Sequence, residues 1–376
     1  VAAGAQHSLA LDGDGLVWAW GDNGNGQLGD GSTSLSSTPI RIQALSNIMD
    51  ISSYARSSLA LDKSGRVWAW GYGGRGALGD GSYADRTTPF IVPGLPEIKA
   101  IVAGNFVSVA IAADGSVWMW GDNEFGQFGD SNYSKQASPA KIAALTGFSG
   151  FSVGDQDVFA RSSSGALQAW GGNGYGQLGV GDTNDRFAPA LVSATVQFTQ
   201  LAAGLSHAAA VAADGSVWVW GSNGSGQLAD GTANVSNVPV DVQGPGDAVA
   251  VSAGRLHALA RSGDGSVRAW GNNINGALGN GSRRDSALPQ LVPGLPAMSA
   301  IAAGNGFSLA LESDGSVWSW GYNGDGQLGK EQAGTSQLTP AKLTTISGVS
   351  QLAAYMHVLA VRADGSIWAW GKNSYG

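Results

Sequence analysis

Cysteine is absent, so no disulfide can substitute for a hydrophobic core and no thiolate is available as a nucleophile or metal ligand. Charge is scarce as well. Asp, Glu, Lys and Arg make up 13% of the chain, acids outnumber bases 28 to 20, and the net charge is −8. The longest basic run is Arg283-Arg284, too little to attract a polyanion, so nucleic acid is excluded as an expected partner. No apolar run reaches the roughly 18 residues of a membrane-crossing helix, and no signal-peptide pattern is present, so no membrane insertion is expected. A sustained helical period is missing throughout, and no Ser sits in a G-x-S-x-G elbow.

Core-forming material is plentiful: 43% of residues are apolar, with 14 Trp, which argues against disorder. The Trp residues are ordered in sequence. A Trp-Gly pair recurs at Trp20-Gly21, Trp70-Gly71, Trp120-Gly121, Trp170-Gly171, Trp220-Gly221, Trp270-Gly271, Trp320-Gly321 and Trp370-Gly371, so one 50-residue unit is written from end to end. With no composition shift or linker, residues 1–376 are expected to form a single domain. A unit this short cannot bury its own apolar face and must stack on its neighbours.

Each unit contains four strand-length segments, in the first Val1-Ala2-Ala3, His7–Leu11, Leu16–Trp20 and Pro39–Ile42. Asp12-Gly13-Asp14-Gly15 separates the second and third, and every copy has a Gly at the Gly15 position, where a tight hairpin requires positive φ. Pro39, Pro89, Pro139, Pro189, Pro239, Pro289 and Pro340 open the fourth segment and should place its start at a sheet edge. The pattern predicts an all-β chain, a β-propeller of four-stranded antiparallel blades. Ala10 and its seven equivalents form one column, which implies close approach between blades. The Trp20 column is expected to be buried between blades, and the Trp18 column, matched by Gln168 and Arg268, partly wet. There are eight copies of the hairpin but seven of the Pro-led strand, so either seven blades leave a hairpin over or eight leave the last incomplete. The chain begins without Met and stops partway through a motif, and a fragment of a longer protein is expected.

The string Asp14–Gly21, followed by Asn23, Gly26-Gln27-Leu28-Gly29 and Pro39, resembles the regulator of chromosome condensation repeat, and the resemblance covers essentially all 376 residues. It implies a propeller, usually of seven blades, and seven is adopted here with eight as the rival. The eponymous member is a chromatin-bound exchange factor for a small GTPase. Other relatives include ubiquitin-ligase modules and a secreted bacterial inhibitor of β-lactamase. Uniform spacing leaves no room for an inserted wedge and there is no basic tail, which argues against nucleotide exchange. In texture the chain is closest to bacterial secreted members, and its acidic, lysine-poor, cysteine-free composition points the same way, to the exterior or surface of a bacterium.

Sites for chemistry are few. Gly24–Gly29 reads as G-x-G-x-x-G, but a polar loop and a strand follow where a phosphate site needs a helix. Asp12, Asp14, Asp22 and Asn23 hint at calcium, yet neither a distal bidentate Glu nor a nine-residue period accompanies them, and turn chemistry accounts for them. His7, His207, His257 and His357 share one column and read as hydrogen-bonded structural residues. Carboxylates recur in turn columns shared by several copies, whereas catalytic residues are one-off. No catalytic residue, metal or cofactor is therefore assigned, and the chain is read as a non-enzyme.

Strand parity puts the loop between strands one and two on the same face as the long loop between three and four. Copies diverge most there: Ala5-Gln6, Asn105-Phe106, Asp155-Gln156, Arg255-Leu256 and Asn305-Gly306 in one set, and Tyr72, Arg75, Glu124, Phe125, Tyr175, Ile274 and Tyr322 in the other. Aromatics with Arg nearby have the composition of an interface centre. Phe106, Phe125, Tyr175, Arg255 and Tyr322 are accordingly the expected contacts of a protein partner of unknown identity. Two alternatives remain: a carbohydrate-binding propeller stacking sugars on Trp68, Trp118, Trp218 and Trp318, and self-assembly through an unpaired blade edge.

Overall fold

In the computed structural model, residues 1–154, 156–162, 165–193, 195–244, 246–330 and 334–374 are described, and they form eight antiparallel sheets in chain order. Blade one comprises Ala2–Ala3, His7–Leu11, Val17–Gly21 and Ser36–Arg41, ordered from the axis outward. Six further four-stranded blades follow at residues 48–91, 98–141, 148–191, 198–241, 248–291 and 298–342. The eighth has three strands, Val349–Ala354, His357–Arg362 and Ile367–Gly371. Seven blades are thus corrected to eight, the last lacking its outer strand among the described residues. The eighth sheet packs on the first: Leu359 joins Ala10 and Trp20 in one buried cluster, and the His357 ring bonds the Ser8 hydroxyl at 3.0 Å. A leftover hairpin would have had no such neighbour.

Each hairpin works as its sequence requires. The eight glycines of the Gly15 column have φ between 76° and 87°, where a Cβ is costly. Asp12 shows why acids accumulate beside them: one carboxylate oxygen accepts from the Asp14 and Leu16 amides, the other from the Trp18 indole. Such Asx turns use up the oxygens a cation would need. At Gly21, φ is 109° and a side chain would run into the Gln6 carbonyl opposite, which is why every Trp of the column is followed by Gly.

The Pro expectation needs a correction of register. Pro39 does not open its strand but is the fourth residue of Ser36–Arg41, at the slip between the Ala19–Ile40 and Gly21–Ser36 pairs. That strand is the outer edge, so the absent N–H removes no ladder bond.

Blades are joined by the Trp20 column. Trp70, Trp120, Trp170, Trp220, Trp270 and Trp320 are fully buried, and the Trp18 column is partly exposed, as the copies implied. Each of these indoles, with Trp370, donates to the main-chain carbonyl at Gln27, Ala77, Gln127, Gln177, Gln227, Ala277 and Gln327 of the preceding blade, at 2.7–3.0 Å. The long loops supply those carbonyls. Asn23 holds its loop by accepting from the Leu28 amide and donating to the Ser32 and Ser34 carbonyls, and Gly31 donates to Thr87 of the next blade. The Ala10 column is at most 1% exposed, so a larger side chain would force blades apart.

Histidines form a second inter-blade contact. His7 bonds Ser58 and His257 bonds Ser308, both at 2.9 Å, repeating the His357–Ser8 bond across the ring closure. His207 departs from this pattern, because its counterpart is Ala258 and neither ring nitrogen has a hydrogen-bond partner. Ala258→Ser would restore the bond and is expected to stabilise the protein by about 1 kcal/mol. Chemical denaturation checks this; an unchanged or lower midpoint contradicts it.

Burial lowers the pKa of His7, His207 and His257 from 6.5 to about 4, assisted at His7 by His357 and at His257 by His207. The unfolded chain therefore binds protons that the folded chain refuses. Stability is intact above pH 6.5 and falls as pH drops from there towards 4, by about 1.4 kcal/mol per pH unit for each ring. Phe307 occupies the same column, so His257→Phe is tolerable in shape and should remove one proton from the slope of stability against pH. An unaltered slope contradicts the assignment.

Candidate functional site

The loops between strands one and two and those between three and four do open on one face: the Asp22, Tyr72 and Asp122 amides, which begin the long loops, donate to the Gln6, Arg56 and Phe106 carbonyls of the short ones. Much of each long loop is committed to the next blade, which leaves positions such as 72, 75, 124, 125, 175 and 274 to vary.

One cluster stands out, between blades two and three. Tyr72 and Phe106 rings lie 5.3 Å apart at 57°, and the Arg75 guanidinium sits 5.6 Å above the Phe106 ring. Arg75 also pairs with Asp122 and, at 3.0 Å, with Glu124. Its pKa is raised by the Asp122 and Glu124 hydrogen bonds. Phe106 has φ of 61° and Arg75 63°, left-handed values that bulky residues avoid. Ring stacking, a cation over the ring and two carboxylates hold this conformation in place.

The five expected contact residues do not converge. Phe106 belongs to the cluster just described, and Phe125 lies half-buried in the neighbouring long loop, its amide donating to the Gln127 side chain at 3.0 Å. Tyr175, 56% exposed, is on blade four. Arg255 is exposed on blade six at the axial channel, and Tyr322 is half-buried on blade seven against Asn275, Asn305 and Asp325. Asp155 lies outside the described residues. All five share the face, yet they are spread around the ring as separate points.

Sequence comparison missed the axis. A channel of about 480 Å³ is walled by Ala3, Ala203, Ala253, Ala303 and Ala353, with Tyr54, Leu205, Arg255 and Tyr355 at its mouth. Leu205 and Tyr355 are large and exposed where Ala5, Ala55, Asn105 and Asn305 stand in other copies, and that contrast was the available signal. The Trp residues offered for sugar stacking are engaged. Trp68, Trp118, Trp218 and Trp318 pack on buried clusters, and their indoles donate to Asp62, Ser116, Ser216 and Glu312. The described residues contain no group of three or more His, Asp and Glu side chains that could hold a metal ion, and no helix long and apolar enough to cross a membrane.

Comparison with known proteins adds the family evidence. The family model of the RCC1-like domain matches residues 1–245, and models of the regulator of chromosome condensation (RCC1) repeat match 264–311 and 314–361, with a second such model at 248–277 and 298–327. The E3 ubiquitin-protein ligases HERC2 of Homo sapiens and Mus musculus are each 49% identical over 45 residues, 12% of this chain and 1% of theirs. This chain thus corresponds to a very small part of those proteins. Among solved structures, human WBSCR16 is 24% identical with a TM-score of 0.74, covering 90% of this chain and 97% of its own. Prp20p of Saccharomyces cerevisiae, described with its binding to Gsp1p and histones, is 22% identical with a TM-score of 0.70, covering 97% and 94%. At these identities the likeness is one of fold.

Replacing Arg75 by Ala strands the Asp122 carboxylate, which is almost buried, and is expected to cost about 1–3 kcal/mol. Adding Asp122→Asn should recover part of that loss. Additive losses in the double variant would show that the two groups do not interact.

Proposed function

This chain belongs to the regulator of chromosome condensation (RCC1) repeat family, and from that premise we propose that it is a non-enzymatic scaffold that binds a protein partner through its loop face. The observation that carries the reading is the Tyr72–Phe106–Arg75 cluster, an aromatic and guanidinium surface rigidly held on a face where loop residues otherwise vary. Tyr175 and Ile274, 56% and 63% exposed, add separate apolar points on the same face. A related propeller, Prp20p, is described as binding the proteins Gsp1p and histones, which is in keeping with a protein partner here. Rigid strands beneath divergent loops suit recognition, because the loops are ordered before binding and little entropy is lost on contact.

Catalysis finds less support. The buried histidines face serines or alanine within blade contacts, and Asp12 and Asp62, which represent the hairpin column, are occupied by turn amides and indoles. A protein-partner reading uses what the face presents; an enzymatic one would need groups that the fold has already engaged.

The test is affinity capture with the intact chain from extracts of its native host, comparing wild type with the Phe125→Ala, Tyr175→Ala double variant and with Phe106→Ala. A partner recovered by wild type should fall about tenfold or more with either variant, in line with loss of one interface anchor. Equal recovery from all three, with folding unchanged by circular dichroism, would remove this face as the docking surface.

A further inference from the structure

We propose that the axial channel is a binding site for a straight-chain monocarboxylate, with the alkyl chain in the bore and the carboxylate on the Arg255 guanidinium. The proposal does not rest on the protein-partner reading above. The bore is built by the loop ends of the inner strands, Phe198–Ala203, Ala248–Ala253, Met298–Ala303 and Val349–Ala354 among them, and Ala203, Ala253, Ala303 and Ala353 line it with methyl groups. After the first three of these come Gly204, Gly254 and Gly304, where a Cβ would run into the ring of His207, His257 or Phe307 behind it. Nothing larger than a methyl therefore enters the bore along this side. Its volume of about 480 Å³ lies within the roughly 300–1,000 Å³ of small-molecule sites, and walls of this kind favour exchange of water for hydrocarbon.

The mouth departs from the repeat where the bore obeys it. Tyr54 occupies the position of Gly4, Gly204, Gly254 and Gly304, and Leu205, Arg255 and Tyr355 occupy that of Ala5 and Ala55. Blades five to eight are joined at this level: the Leu205 amide donates to the Arg255 carbonyl and the Arg255 amide to the Gly304 carbonyl, both at 3.4 Å, and the Asn305 amide donates to the Tyr355 carbonyl at 2.8 Å. The collar is thus in place before a ligand arrives. Arg255 is the one charged residue among the described residues of the lining, and its guanidinium has neither an ion pair nor a hydrogen bond there, although acids outnumber bases 28 to 20 in the chain. Arg66, Arg75, Arg86, Arg186 and Arg362, by contrast, all pair with carboxylates. A guanidinium offers two parallel N–H groups that match the two oxygens of a carboxylate. An anionic head on Arg255 and a tail below Leu205 and Tyr355 use both features at once, whereas a polar ligand would leave the methyl bore unfilled and a plain hydrocarbon would leave the guanidinium unmatched.

The test is calorimetric titration of the intact protein with hexanoate, octanoate and decanoate, and with octanol and octylammonium beside octanoate. Saturable one-to-one binding of decanoate with a midpoint of about 100 µM is expected, with affinity rising about threefold to fourfold for each methylene added. Arg255→Gln, which removes the charge and keeps a polar side chain, should weaken decanoate by about tenfold and leave octanol unchanged. Ala253→Leu, which fills the bore, should weaken both by about tenfold or more; should it not fold, the chain-length series and Arg255→Gln still decide. Failure of decanoate to saturate by about 2 mM overturns the proposal, as does affinity that ignores chain length or is unchanged by Arg255→Gln. Octylammonium binding as tightly as octanoate overturns it too, because Asp155, the acid at the corresponding position of blade four, would then set the charge of the mouth.

Discussion

The architecture depends on one contact repeated around the ring: a buried indole of one blade donating to a turn carbonyl of the blade before it. Each such Trp contributes about 1.5–3 kcal/mol through area removed from water and about 1 kcal/mol more through the hydrogen bond, far above any exposed ion pair. The bond also has direction. It sets the height of one blade against the next, and with the Ala10 column it leaves a single way to stack them. Because the acceptors belong to the long loops, the contact that closes the seams also orders the loop face. Fold and candidate site are for that reason the same piece of physics seen at two distances from the axis.

That face is presented on a frame with little freedom to adjust. Asn23 and its equivalents staple the long loops from within, Gly31 ties blade one to Thr87, and the Phe106 and Arg75 backbones hold left-handed values because a stack and two ion pairs keep them there. A partner would meet a prearranged surface of separated aromatic points around an axial channel. Recognition of that kind is selective through spacing, since the same side chains at other angles around the ring would not be engaged together.

Much of the fold was legible in the chain because the repeat allows it to be compared with itself. An invariant Trp20 column beside a variable Trp18 column told buried from half-buried, and a glycine kept in eight copies at the Gly15 position told a hairpin with positive φ. Blade number was legible only in part. Eight hairpins against seven Pro-led strands left two closures open, and the choice rested on Leu359 meeting Trp20 and His357 meeting Ser8, contacts between opposite ends of the chain that no local pattern encodes. Pro39 was displaced for a different reason: the bulge opposite Ala19 and Gly21 lets the outer strand begin before it. Loop variability located the face but not positions around the ring: that Phe106 meets Tyr72 and Arg75 depends on how blades two and three pack, while Tyr175, Arg255 and Tyr322 stand apart. The bond from His7 to Ser58 had a readable sign, a Ser 51 positions after His7 and after His257, and Ala258 after His207 was its exception.

Hydrogen exchange of the indole N–H groups, resolved by residue in NMR spectra, tests the inter-blade contact most directly. Trp70, Trp120, Trp170, Trp220, Trp270 and Trp320 should exchange only with opening of a seam, slowed by factors approaching the global stability, while the half-exposed Trp68 and Trp118 should exchange far faster. Exchange of the six at the rates of Trp68 and Trp118 would contradict an eight-bladed ring held by indole-to-carbonyl bonds.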